Sequence, residues 1–191
     1  MTTLQPIVVF TAPSGAGKTS IVRHLLARFP ALSFSISAST RSRRPEEVDG
    51  KDYYFMSLED FQHKIRDNAF VEWEMVYEGK YYGTLRSELE RIWAIGKVPI
   101  LDIDVKGAIH VQQQYPHTLS VFIEPPSVGE LHRRLQSRGT ETSESLETRV
   151  NKAEYELSFR NHFGAIIVNR DLPQACREAD KLVGAFLAKI Q

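Results

Sequence analysis

The sequence predicts an α/β protein, an open parallel sheet flanked by helices, and three observations predict it. Short, apolar, β-rich runs alternate with amphipathic stretches of helical length along most of the 191 residues. A glycine-rich turn, Ala12-Pro-Ser-Gly-Ala-Gly-Lys18-Thr19, joins the first of those runs to the first helix. Two stretches break the alternation and read as insertions overhanging the carboxyl ends of the strands, where such sheets bind ligands.

Four segments read as buried strands of the sheet: Ile7–Thr11, Val98–Asp102, Ser120–Ile123 and Ala165–Val168. The first helix is expected from Lys18 to Phe29, with Ile21, Val22, Leu25 and Leu26 on one face. A region rich in Ser, Tyr and charge follows, residues 34 to 88. It carries short strand-like pieces at Phe34–Ser37, Lys51–Met56, Phe70–Val76 and Lys80–Tyr82. Within it Ser57 stands as N-cap of a helix Ser57–Asp67, with Asp60 three residues on. The chain returns to the sheet through a helix at Ser87–Ile95. After Pro125-Pro126, Ser127 caps a helix that begins at Val128 and runs into Arg133-Arg134-Leu-Gln-Ser-Arg138. Gly139–Leu146 is polar, lacks apolar periodicity and is expected to be exposed and mobile. A long helix from Leu146 to Asn161 and a last one from Leu172 to Ile190 close the chain.

Composition excludes several function classes. A hydrophobic content of 42% is enough for one good core, with small inserted lobes. With 24 basic and 24 acidic residues there is no global attraction to a nucleic acid polymer or to a membrane. The single Cys176 rules out an intramolecular disulfide and a multi-cysteine metal site, and reads as a small buried residue. No apolar run reaches the ~20 residues that span a bilayer. The start, Met-Thr-Thr-Leu-Gln-Pro, carries no signal peptide, and a cytoplasmic protein is expected.

The glycine-rich turn carries the first chemistry. Gly15 and Gly17 let backbone N–H groups approach phosphate oxygens, at the positive end of the following helix. Lys18 reaches the terminal phosphates of a nucleoside triphosphate, and Thr19 offers a hydroxyl to Mg²⁺. Ala12, Pro13, Ser14 and Ala16 complete the cradle. The P-loop pattern asks for glycine at position 12, so Ala12 is tolerated only if its φ is negative.

Ser37-Ala-Ser-Thr-Arg41-Ser-Arg43-Arg44-Pro and Gly50-Lys-Asp-Tyr53-Tyr54-Phe suit a phosphate monoester. Guanidinium forks bind phosphate bidentately, and tyrosine hydroxyls add donors. The plain reading of such a cluster is a solvated basic loop; its place downstream of a phosphate loop raises the second phosphate site above it. In Ile100-Leu-Asp102-Ile-Asp104 the two carboxylates point the same way if the strand persists. Asp102 is the better candidate for Mg²⁺, through water, since Mg²⁺ keeps several of its waters. Asp104 either lies toward a nucleotide monophosphate or caps the next helix.

These pieces occur in order with Asp49-Gly-Lys-Asp-Tyr-Tyr-Phe55, Phe70-Val-Glu-Trp73, Tyr81-Tyr-Gly-Thr84, Pro125-Pro-Ser127 and Arg134-Leu-Gln-Ser-Arg-Gly-Thr-Glu141. The ordered set, over essentially the whole chain, resembles the guanylate kinases, which transfer phosphate from ATP to GMP. The resemblance implies a P-loop NTPase core (residues 1–33, 89–127 and 159–191), a GMP-binding lobe (34–88), and a helical lid with its flanks (128–158). It implies Mg²⁺ with ATP and GMP as partners. It assigns Arg41, Arg44, Tyr53 and Tyr82 to the GMP phosphate, and Ser37, Glu72 and Thr84 to guanine.

Physical chemistry supports the last assignment. Guanine presents N1–H and N2–H on one edge, and a carboxylate accepts both. Adenine presents no such edge and would leave a buried acceptor unpaired. The resemblance further puts Arg134, Arg138 and Arg149 on the transferring phosphoryl group when the lid closes, contacts worth roughly 10³–10⁵ in rate in related enzymes. For Arg133 and Arg138, surface pairing with Glu130, Glu141 or Glu147 competes with that role. Asn169 falls where the family contacts the adenine end of ATP. Arg43, Glu46, Lys106 and Arg170 depart from the family pattern without removing a group the chemistry needs. Glu78 stands as an extra residue before Gly79 and is expected to lengthen the turn leading to Tyr82.

A second function class shares the fold: guanylate-kinase-like domains that bind peptides and have lost the working P-loop. Here Lys18, Thr19, Asp102 and the lid arginines are all present, which favours the enzyme.

Overall fold

The computed structural model describes residues 4–136 and 143–190. In chain order, β1 (Ile7–Thr11) leads into α1 (Lys18–Arg28) and β2 (Leu32–Phe34). There follow β3 (Ala38–Ser39), β4 (Tyr54–Phe55), α2 (Leu58–Arg66), β5 (Phe70–Tyr77) and β6 (Lys80–Leu85). Next come α3 (Arg86–Ala94), β7 (Val98–Asp102), α4 (Val105–Gln114), β8 (Thr118–Glu124) and α5 (Val128–Gln136). The chain ends with α6 (Ser143–Leu157), one 3-10 turn at Arg160–His162, β9 (Ala165–Val168) and α7 (Leu172–Ile190).

Two sheets organise these elements. The larger has the order β2-β7-β1-β8-β9 and is parallel throughout. Its central strand β1 is wholly buried, and its side chains divide between two layers. Val8 and Phe10 pack with Ile21, Val22 and Leu25 of α1 and with Ala175, Ala179, Val183 and Leu187 of α7. Ile7 and Val9 pack on the other face with Leu89 of α3, with Ala108 and Val111 of α4, and with Phe163. Burying side chains the size of Val183 or Leu187 stabilises by roughly 1.5–3 kcal/mol each, and this holds α7 down along its length. Cys176 belongs to the same layer, as its size predicts.

The smaller sheet, β4-β3-β6-β5, closes over Ala38, Phe61, Phe70 and Leu85. The Phe61 and Phe70 rings stack there at 4.4 Å. Ser57 caps α2 by accepting the Asp60 amide at 3.0 Å, as expected. Glu88 of α3, buried between the sheets, ties them together: it accepts from the Ile36 amide at 3.0 Å and the Tyr54 hydroxyl at 2.9 Å.

Several expectations change. Phe34–Ser37 is not a strand of the inserted region. Leu32–Phe34 forms a fifth strand at the edge of the parallel sheet, Leu32 opposite Val98 and Phe34 opposite Ile100. Lys51–Met56 shortens to Tyr54–Phe55, while β6 runs past Tyr82 to Leu85. A further helix, α4, follows β7, and Asp104 caps it by accepting the Gly107 amide at 2.9 Å. The long helix ends at Leu157, with the 3-10 turn carrying the chain onward. Ser143–Leu146 belongs to that helix, whereas 137–142 lie outside the described residues. The turn before Tyr82 is not lengthened: Tyr77 pairs with Lys80 across Glu78-Gly79. A register shift falls between Met75 and Tyr77, and Tyr82 stands opposite Glu74 and Ser39. Ile7–Thr11, Val98–Asp102 and Ala165–Val168 stand as predicted, with β8 longer at each end.

Candidate active site

The carboxyl ends of β1, β7 and β9 meet at one edge of the parallel sheet, and the loops that leave them build the site. After β1 the chain turns through Gly15 and Gly17, whose φ angles are 90° and 92°, a region side chains avoid. Gly17 is the N-cap of α1, so the free amides of the first turn open onto the loop. Ala12 is buried and its φ is not positive, which is the condition under which the missing glycine costs nothing.

Asn169, just after β9, braces this loop. Its buried side-chain amide donates to the Ala16 carbonyl at 2.8 Å. Its own carbonyl accepts from Arg134 at 3.1 Å. The Asn169 side chain is thus engaged with the loop itself. Arg134 also pairs with Glu130 at 2.9 Å, so the surface pairing weighed for its neighbours applies to it too. Arg133 is exposed and forms an ion pair with Glu130, the surface role. Arg138 lies outside the described residues; of Arg149 only the helical backbone of α6 is described.

Lys18 forms an ion pair with Asp102 and donates to the Ile103 carbonyl at 2.8 Å. The Thr19 hydroxyl donates to the other Asp102 oxygen at 3.0 Å. β7 ends at Asp102, so the common direction expected for Asp102 and Asp104 does not survive. Asp104 turns away to cap α4, and both residues still line one cavity of about 360 Å³.

That cavity joins the loop, from Ala12 to Thr19, to Ser37, Tyr53, Glu72 and Tyr82 of the inserted region. Glu72 is 5% exposed and accepts the Thr84 hydroxyl at 2.6 Å. Burial, opposed by that hydrogen bond and reinforced by Asp104 and Glu74, pushes its carboxyl group up to about 8. Thr84 is fully buried behind Glu72 and does not itself reach the cavity.

Arg41 and Arg44 do not line the cavity. The Arg41 guanidinium lies 4.8 Å from the centre of the Tyr53 ring. It holds Glu47 in a two-pronged fork, at 2.7 and 2.5 Å. Glu47 also accepts the Arg44 amide at 2.9 Å, and these contacts, Arg41 foremost, hold its carboxyl group down at about 2. The Arg44 side chain is exposed.

Three groups escaped the sequence reading. Glu47 stands two residues past the arginine motif that ends at Pro45. Lys152 donates to the Val76 carbonyl at 3.3 Å, linking α6 to β5. Glu156, one turn further on, lines the cavity with one buried oxygen that has no hydrogen-bond partner among the described residues, and burial raises its pKa. The Lys152–Glu156 spacing at i and i+4 was the available signal.

A glycine-rich loop, a lysine–carboxylate pair and a buried carboxyl group thus share one cavity. Known proteins are similar to the chain over nearly its whole length. The family model described as guanylate kinase matches residues 4–185. The guanylate kinase of Salinibacter ruber is 46% identical over 183 residues, covering 95% of this chain and 97% of the relative. That of Porphyromonas gingivalis is 45% identical over 185 residues, covering 96% of this chain and 98% of the relative. The crystal structure of guanylate kinase from Anaplasma phagocytophilum is similar at a TM-score of 0.76 and 30% identity, covering 99% of this chain and 88% of that one. With a family model matching nearly from end to end, and relatives almost half identical over their full length, this chain belongs to the guanylate kinase family.

Proposed function

We propose that this chain transfers the γ-phosphoryl group of Mg·ATP to GMP, giving ADP and GDP. The observation that carries the reading is the buried Glu72 carboxyl group, held from behind by Thr84, which lines the same cavity as the phosphate loop. In this reading Ser37, Glu72 and Thr84 select guanine. Tyr53 and Tyr82 donate to its phosphate, with Arg41 and Arg44 brought in as the lobe of residues 34–88 closes. Loop residues 12–19 cradle the ATP phosphates.

A GMP phosphate oxygen forms the new bond to the γ-phosphorus. The bond to the oxygen bridging the β- and γ-phosphates breaks, and ADP leaves with the electron pair. The acceptor is already anionic, so no general base is required. Lys18, with Arg134, Arg138 and Arg149 of the lid (128–158), neutralises charge on the transferring group. Closure excludes water as a competing acceptor.

The Thr19 hydroxyl and the Asp102 carboxylate, hard oxygen donors 3.0 Å apart at the cavity edge, fit Mg²⁺, Asp102 acting through water. When bound, the ion supplies charge neutralisation and orientation of the phosphates.

The relatives from Salinibacter ruber and Porphyromonas gingivalis are named for the kinase, and the loop, Lys18 and Asp102 support the catalytic reading over the peptide-binding one. Among the described residues no helix is long and apolar enough to cross a membrane. A cytoplasmic site of action, where ATP is available, follows from this reading. ADP release measured with Mg·ATP and each of the four ribonucleoside monophosphates tests it. Turnover confined to GMP is expected; no turnover with GMP, or equal turnover with AMP, would overturn it.

A further inference from the structure

α4 begins at Val105, and its third residue is Gly107. Nothing in the backbone calls for glycine there, since the position is helical and alanine is the better helix former. Space calls for it. A Cβ built on Gly107 would lie 2.5 Å from Glu72 Oε2, 3.0 Å from Cδ and 3.4 Å from Cγ, and these are its three nearest neighbours. The Gly107 amide is already committed to Asp104 Oδ1 at 2.9 Å. The opposite oxygen of Glu72 is held by Thr84 at 2.6 Å. The carboxyl group is thus gripped on one side by a hydroxyl and seated on the other against a bare helix turn.

We infer that Gly107 is a specificity-determining positioning residue: the missing side chain on α4 fixes where the Glu72 carboxylate stands, and so which base edge the cavity accepts. Asp104 shares the task by pinning that turn of α4 through its cap. This rests on the reading of Glu72 as the guanine ligand. A methyl group at 107 forces the carboxylate to move by roughly 1 Å, a displacement that can cost on the order of 10²-fold in a positioned site. Two N–H donors cannot both follow it. The phosphate loop, Lys18 and Asp102 are untouched.

The test is a double-mutant cycle between Gly107→Ala and Glu72→Ala, with KM and kcat read separately for GMP and ATP. Gly107→Ala is expected to raise the KM for GMP on the order of 10–100-fold and shrink the preference over AMP, leaving the KM for ATP within about twofold. In the Glu72→Ala background, adding Gly107→Ala should change the KM for GMP little, and the melting temperature should rise because only helix propensity remains. An additive loss in both backgrounds would mean that residue 107 meets the nucleotide directly, and overturns the inference. So does an unchanged KM for GMP in the single variant, or an equal rise for both substrates. Should Glu72→Ala itself leave the KM for GMP unchanged, the guanine reading fails first, and the two failures stay distinguishable.

Discussion

Thr84, fully buried, donates its hydroxyl at 2.6 Å across the β5–β6 ladder to Glu72, which is 5% exposed at the cavity wall. That one hydrogen bond does not offset burial, and the carboxyl group is held up to about 8. Guanine would need it ionised, to accept two N–H donors. The dissociation constant for GMP should therefore fall about tenfold from about pH 7 to about pH 9, with proton release on binding below the midpoint. The phosphate of GMP, with a second pKa of about 6, is already dianionic in that range. Titration calorimetry in buffers of different ionisation enthalpy measures both, and Glu72→Gln should abolish the slope. For the empty protein the sign reverses. The folded pKa is raised from 4.5 to about 8, so the stability that protonated Glu72 contributes is complete below about 4.5 and lost as the pH rises toward 8.

Lys18, the first residue of α1, reaches the end of β7, pairing with Asp102 and donating to the Ile103 carbonyl. Lys18→Met removes the one cation of the loop and leaves the guanine pocket as it is. Turnover should drop by at least about 10²–10³, while GMP binding by calorimetry changes little. Near-normal turnover would remove Lys18 from the mechanism.

The parts legible in the sequence were the local ones. β1 and its loop could be read because burial, glycine placement and the start of α1 are all encoded within about a dozen consecutive residues. The caps at Ser57 and Ser127 were legible for the same reason. β2 was not: three residues make a strand only because Val98–Ile100 lie alongside to pair with them. Asp104 stayed open between cap and ligand until the end of β7 at Asp102 decided where it turns. The brace from Asn169 to Ala16 spans 153 residues, and Gly107 meets Glu72 across two elements. Spacing in the chain carries no trace of such contacts. The motif resemblance names candidate residues, and the packing shows which of them touch one another.

Glu47 is a case where packing assigns a role. Its carboxylate holds both prongs of Arg41, and the Arg44 amide closes the loop around it. Glu47→Ala should leave the guanidinium unoriented and raise the KM for GMP about tenfold, with the KM for ATP unchanged. A fall in KM would mean instead that Glu47 competes with the phosphate for Arg41. Because its pKa is depressed from 4.5 to about 2, the pair's contribution to stability is present above about 4.5 and lost as the pH falls toward 2. The variant's melting temperature should therefore approach that of the parent at low pH.

Asn169→Ala separates bracing of the loop from contact with the base. The substitution leaves the Ala16 carbonyl without its buried donor, which costs about 1–3 kcal/mol, and opens the space beside Gly17 that the side-chain amide now fills. A Cβ on Gly17 would lie 2.4 Å from Asn169 Nδ2, so the loop and this side chain are fitted to each other. A loosened cradle binds every triphosphate less well. The KM for ATP and that for GTP as donor should rise by the same factor, and GMP affinity should stay unchanged. Were Asn169 instead a reader of adenine, the KM for ATP alone would rise. The ratio of the two donor constants, measured at saturating GMP, decides between them.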